Sequence, residues 1–325
     1  MFRTLVPLLL ALCSALPYSA FAQDRYPTKP INLIVPFPPS GAADLAARPL
    51  ATELAKILGQ PVVLLNRPGA GGAIGMAQVA NAPADGYTLL VTLPSISIVP
   101  EAEAVMGRQA PYRLNQYAPV ARITADPLVL VARGDSQWTS IKDLVADAKK
   151  RPDKITYGSS GVYGVLHLAF AMLDHAADIK LFHVPFQGAA PAIIAAVGGQ
   201  IDLTGSGPAA LLPHIQSGKV RPLVVWGIKR SPALPDVPTF TEAGYDVPFV
   251  FWSGLFAPAG VPAGTMKTLR TAVAKAMQSP ELKSQMEKMG SPLAYMDAPE
   301  FAAFWERDAK RIGEAIRRIG RIEKN

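Results

Sequence analysis

The chain has almost no cysteine: Cys13 is its only one. No thiolate nucleophile, Cys metal site or intrachain disulfide can form beyond residue 13, so the fold must rest on a packed core. The four histidines, His167, His175, His183 and His214, lack metal-ligand spacing. No G-x-S-x-G elbow, phosphate-binding G-x-x-x-x-G-K loop or H-E-x-x-H helix occurs, and no serine is visibly paired with a base. The sequence therefore gives no ground to expect a catalytic centre, a cofactor or a bound metal. Charge is also scarce, at 18% of residues against 50% hydrophobic, which excludes a disordered chain. The net charge of +7 is spread out. Its one local excess (Lys310, Arg311, Arg317, Arg318, Arg321) has helical spacing and reads as a solvated helix face. Aromatic and basic residues are not interleaved, so nucleic acid is not an expected partner.

Long apolar runs are missing too. Arg3 precedes an apolar stretch from Leu5 to Leu16, too short to span a bilayer, and Ala20-Phe21-Ala22 follows as a cleavage signature. Residues 1–22 therefore read as a secretory signal peptide cut before Gln23, and the protein as exported. Leu12 is too bulky for a lipid-bearing Cys13. The length predicts about two domains.

What is present is a recurring strand–loop–helix unit. Ile31 to Val35 is an apolar run, Pro36 to Gly41 a tight loop, and Ala42 to Leu58 a helical pattern that Pro49 should kink. Val62–Leu65, Tyr87–Thr92, Val120–Thr124, Leu128–Val131, Ile155–Tyr157, Lys180–Val184, Ile201–Leu203 and Val220–Trp226 read as strands. Helical patterns lie between many of them, and two amphipathic helices, 266–289 and 299–322, close the chain. Such alternation predicts an α/β protein with parallel β-α-β units. Ligands of open α/β sheets bind beyond the carboxyl ends of the strands. Four such ends carry small or flexible loops: Pro36–Asp44, Gly158–Gly164, Pro185–Pro191 and Thr204–Pro208. None contains Lys or Arg, so an anion there would be held by backbone N–H groups and hydroxyls. At about 1.5–3 kcal/mol per hydrogen bond to a charged group, four or five bonds reach the roughly 8 kcal/mol of micromolar affinity. Gly69–Gly75 imitates a dinucleotide fingerprint, but its third glycine is one place late and no acidic residue ends the next strand, so it reads as a structural turn. Asp44 reads as a first-turn capping residue rather than a general base, and His167 as a loop buttress.

Tyr26-Pro27-x-Lys29-Pro30-Ile31, Val35-Pro36-Phe37-Pro38-Pro39, Leu58-Gly59-Gln60-Pro61-Val62-Val63 and Asn66-Arg67-Pro68-Gly69-Ala70-Gly71-Gly72 resemble the Bug family. So do Ala84-Asp85-Gly86-Tyr87-Thr88-Leu89-Leu90, Tyr157-Gly158-Ser159-Ser160-Gly161, His183-Val184-Pro185-Phe186-Gln187-Gly188-Ala189-Ala190-Pro191 and Arg230–Thr239. These are periplasmic substrate-binding proteins of tripartite tricarboxylate transporters. The resemblance implies the type II periplasmic binding-protein fold, with two open-sheet α/β domains joined by two crossover segments. Domain one would be 24–124 plus 252–325, and domain two 125–251. It also implies a small carboxylate ligand in the interdomain cleft, no cofactor, a membrane permease as partner, a periplasmic location and a monomeric receptor. The ligand would meet Phe37, Ser40, Gly41, Ala42, Ala43, Asp44 and Ser95 from domain one. From domain two it would meet Ser160, Gly161, Val162, Tyr163, His167, Phe186, Gly188, Ala189 and Ser206. Where family members carry hydroxyls, this chain has Ala42 and Ala43, and polar positions become Val162, Tyr163 and Val165. An apolar-bodied ligand follows, a monocarboxylate or an aromatic dicarboxylate. Tyr163, Phe186 and Trp252 either contact it or pack the hinge. A hydrolase or lyase using the same cleft, or the ligand-binding input of a membrane sensor, are the alternatives.

Overall fold

The computed structural model describes residues 26–247 and 249–322. The signal peptide expected at 1–22 lies outside them. In chain order the first elements are β1 (Ile31–Val35), α1 (Ala42–Leu58), β2 (Val62–Asn66), α2 (Ala73–Ala80), β3 (Thr88–Thr92), α3 (Ser95–Val105) and β4 (Tyr117–Thr124). Then come β5 (Leu128–Arg133), α4 (Ile141–Lys150), β6 (Thr156–Ser159), α5 (Val165–Ala177), β7 (Phe182–Pro185), α6 (Ala189–Val197), β8 (Leu203–Ser206), α7 (Pro208–Gln216) and β9 (Val220–Trp226). The chain ends with β10 (Ser253–Pro258), α8 (Ala263–Ala276), α9 (Pro280–Lys288), β11 (Leu293–Asp297) and α10 (Ala298–Ile319).

These elements build two sheets, each covered by helices. One has the order β11-β4-β10-β3-β1-β2, the other β7-β6-β8-β5-β9. β1 pairs in parallel with β2 and β3, and β6 with β7 and β8, as β-α-β connections require. Outside those expected parallel units the pairing is antiparallel. β10 runs antiparallel to β3 and β4, and β5 antiparallel to β8 and β9. β4–β5 and β9–β10 are the two passages between the sheets, and β10 returns to the first sheet antiparallel to β4, the strand by which the chain left it. Thr124 and Ser253, at the edges of the two passages, are joined by their hydroxyls at 2.8 Å. Nearby, the buried Asp126 accepts a hydrogen bond from Ser291.

Several boundaries differ from the sequence reading. The expected helix over 266–289 is two helices, broken where Ser279 caps α9 and Pro280 opens it. α1 continues through Pro49. β8 begins two residues later than expected. α3 and β11 were not anticipated. α3 carries Pro100 and opens with the alternation Ser95-Ile96-Ser97-Ile98, a period of two that hides the helical one.

Inner strands of each sheet are mostly buried: Leu33, Ile34, Val35, Leu89, Leu90 and Val91 in one, Val129, Leu130 and Val131 in the other. Burying each such side chain contributes roughly 1.5–3 kcal/mol, so the sheets anchor the loops at their carboxyl ends firmly. Trp252 is fully buried among Phe256, Phe301 and Phe304, and its indole N–H donates to Asp308 at 2.7 Å. It therefore packs the core of the first sheet, the second of the two roles left open for it.

Candidate functional site

The helix starts differ in how they are capped; those of α2, α3 and α8, at Gly72, Pro94 and Pro262, have no side-chain cap. α4, α9 and α10 begin with Ser140, Ser279 and Asp297, whose side chains accept a first-turn N–H. α1, α5, α6 and α7 begin with Gly41, Gly164, Gly188 and Gly207, and none has a side-chain cap. A helix start carries N–H groups with no partner in the helix and the positive end of its dipole. A glycine there leaves them for another acceptor.

The starts of α1, α5 and α6 converge, with the end of β8, which leads into α7, beside them. Gly41, Ala42 and Ala43 of α1, Val165 and Leu166 of α5, Ala189 of α6, and Gly205 and Ser206 just before α7 line one small cavity of about 30 Å³. α7 contributes fewer donors because Pro208 opens it. Phe37, Leu93, Leu128, Ser160 and Phe251 complete the wall. No Lys, Arg, Asp or Glu lines it.

The two halves touch around this cavity. A Cβ on Gly188 would lie 2.3 Å from Pro38, and one on Gly207 2.8 Å from the Phe251 ring. A Cβ on Gly71 would lie 3.2 Å from the Val162 carbonyl oxygen, and one on Gly161 3.2 Å from the Gly71 nitrogen. Glycine is thus required for backbone to meet backbone across the cleft. The Gly69–Gly72 loop does more than turn the chain, which corrects the sequence reading. With Phe37, Ser160–Tyr163 and Phe186 it walls an outer chamber of about 580 Å³. Phe37 and Ser160 line both spaces. Arg108, from the loop after α3, also reaches the outer chamber, a basic residue that inspection of the four loops alone could not find.

The other expected site residues divide between the walls and the layer behind them. Asp44 is 1% exposed and lines neither space. Its carboxylate accepts from the Ser40 N–H at 2.9 Å, from Asn66 Nδ2 at 2.9 Å, and from Arg48 at 2.7 and 2.9 Å. With those partners it holds Ser40 at a positive φ of 66° and fixes the loop. It is a support for the site rather than a group that faces it. His167 is buried, and its Nδ1 accepts the Tyr163 N–H at 2.9 Å, with Tyr163 at φ 52°. Burial, with His183 stacked at 3.8 Å, holds the His167 pKa down to about 3, so the ring is neutral and buttresses the loop as expected. Tyr163 lines the outer chamber, and its hydroxyl accepts the Ile322 N–H at 3.1 Å. Ser40 lines a separate surface groove. Gly188 forms the α6 start. Ser95, at the start of α3, is fully buried and its hydroxyl has no protein partner.

Two α/β halves closing a cleft lined by uncapped helix starts define the class of two-domain periplasmic solute-binding proteins. Residues 46–321 match the family described as the tripartite tricarboxylate transporter family receptor, and the chain belongs to that family. Among curated relatives, BugT of Bordetella pertussis is 33% identical, over 94% of this chain and 93% of its own. The solved structure of the periplasmic binding protein BugD is 33% identical, with a TM-score of 0.85 over 92% of this chain and 100% of that one. An R. palustris protein solved with adipate is 30% identical, with a TM-score of 0.85 over 91% and 98% of the two chains.

Proposed function

We propose that this protein is a periplasmic receptor that captures a small organic carboxylate between two hinged domains and hands it to the permease of a tripartite tricarboxylate transporter. The domains are 24–124 with 252–325, and 125–251. The observation that carries the reading is the convergence of three uncapped helix starts, α1, α5 and α6, with the end of β8, on one cavity without a basic side chain. Each start offers about half a positive charge and its free N–H groups. In a closed, dry pocket these hold a carboxylate without the cost of stripping water from a lysine or arginine. The carboxylate sits on Gly41–Ala43 and meets Ser160, Ala189 and Ser206 from the other domain, while the body lies against Phe37, Phe186 and Tyr163. The closed cavity is far smaller than a ligand, so entry requires the domains to part about the Thr124–Leu128 and Trp226–Ser253 passages. The adipate found in the R. palustris relative supports the carboxylate class.

A thermal-shift screen of mono- and dicarboxylates on the exported protein tests this. A ligand at 100 times its Kd stabilises by about 2.7 kcal/mol, a rise in Tm of several degrees for domains of this size. The reading fails if no carboxylate shifts Tm, or if the bound compound is recovered chemically altered.

A further inference from the structure

The inner cavity, at about 30 Å³, holds a carboxylate-sized group and little more. The remainder of a ligand anchored there has one adjoining space of adequate size, the outer chamber of about 580 Å³ across Phe37 and Ser160. The charged residues lining that chamber are Glu103 of α3 and Arg108, and they bind each other. Arg108 Nε donates to Glu103 Oε2 at 2.6 Å, and Nη2 to Oε1 at 3.1 Å. This two-pronged pair uses the fork with which an arginine would grip a ligand carboxylate. It also leaves the chamber near charge balance. A second ligand carboxylate would have to displace Glu103 from that fork and would face its oxygens. Apart from the neutral polar side chains of Ser160 and Gln187, the rest of the side-chain wall is aromatic or aliphatic (Phe37, Phe186, Tyr163, Val162) and provides no counter-charge.

Building on the carboxylate-receptor reading, we infer that the ligand is a monocarboxylate with an uncharged apolar body, and that the Glu103–Arg108 pair excludes dicarboxylates. The specificity-determining residue is Glu103. Its side chain is 23% exposed, so substitution there leaves the core intact.

Calorimetry with matched pairs tests the inference: hexanoate against adipate, and benzoate against terephthalate. The monocarboxylate should bind at least tenfold tighter within each pair that binds. Glu103→Gln, which removes the competing charge and loosens Arg108, should raise dicarboxylate affinity at least tenfold relative to that of the matched monocarboxylate. Adipate or terephthalate binding as tightly as its partner to the unsubstituted protein would overturn the inference and leave the receptor reading standing. A Glu103→Gln protein with unchanged discrimination would overturn the role of Glu103. If neither member of any pair binds, the inference falls, and the receptor reading stands or falls with the thermal-shift screen.

Discussion

If a ligand carboxylate occupies the α1 start, a carboxylate built into the chain at that point should replace it. Gly41→Asp does this. Gly41 has φ −79° and ψ 166°, an extended conformation open to any residue, and an added Cβ would lie 3.6 Å from the Pro38 carbonyl oxygen, an ordinary contact. The aspartate would cap α1 itself. Relative to glycine, an aspartate N-cap gains a few tenths of a kcal/mol, and its charge at the dipole end adds about 0.3–1 kcal/mol. The ligand-free protein should therefore gain about 1 kcal/mol and melt roughly 2–4 °C higher. The ligand would lose at least two charge-assisted hydrogen bonds, about 3–6 kcal/mol together, or roughly 10²–10⁴-fold in affinity. Thermal melts and calorimetry on the same preparation read both changes. Higher stability with lost binding is the expected pair. A Gly41→Asp protein that melts lower, or that binds its ligand as before, would refute the placement of the carboxylate on α1.

Asp44→Asn should lower unfolding free energy by about 1–3 kcal/mol in urea, because a buried acceptor of four hydrogen bonds loses its charge. Its ligand affinity should fall less than tenfold, since the α1 N–H groups remain; a larger loss would place Asp44 in contact with the ligand. Gly71→Val puts a β-branched residue at φ 64° and pushes on the Val162 carbonyl across the cleft. It should weaken binding at least tenfold and keep the liganded protein more open by small-angle scattering, and unchanged closure would show that this contact is dispensable. The pH response rests on opposed groups. Burial holds His167 and His183 down to about 3 and about 4, below the ordinary 6.5. The unfolded chain takes up those protons and the folded one does not, so stability falls as pH drops from 6.5 towards 4. Burial raises Asp126 and Asp174 from 3.8 to about 6 and about 7, so the folded state keeps protons that the unfolded one sheds, and acidification over the same range stabilises. The two effects offset. Asp174→Asn should remove part of the offset and make stability fall with acidification by up to about 1.4 kcal/mol per pH unit more than in the parent. Denaturant titrations at pH 6.5 and 4.5 measure this, and a parental slope would show Asp174 ionised in the fold.

Much of this site was legible because it is made of backbone. A strand ending in Pro36–Gly41 and a helix from Ala42 require only local pattern, and the structure reproduces α1 residue for residue. The loop after β6, the His167 buttress and the absence of basic residues near the inner cavity follow the same local logic. Relations across distance were not legible. Arg108 reaches the chamber from a loop whose preceding helix, α3, is masked by Pro100. Gly71 meets Gly161 only after two halves of the chain have folded and met. Asp44 looked available until Arg48 and Asn66, the second of them 22 residues on, were placed around it. Trp252 read as either a ligand ring or a packing residue because its partners Phe301, Phe304 and Asp308 lie some fifty residues away in sequence. The antiparallel returns of β10 and β5 likewise depend on the chain crossing between sheets twice, which no local window records.

The central claim is that helix starts, and no basic side chain, capture an anion. The most direct measurement compares the tightest-binding carboxylate with its own primary amide, a group of nearly equal size and no charge, by calorimetry at low and physiological salt. The carboxylate should bind at least a hundredfold tighter than the amide at both salt concentrations, since a closed pocket is little screened. An amide that binds within tenfold of the acid would contradict the account and make the cavity a site for shape rather than charge.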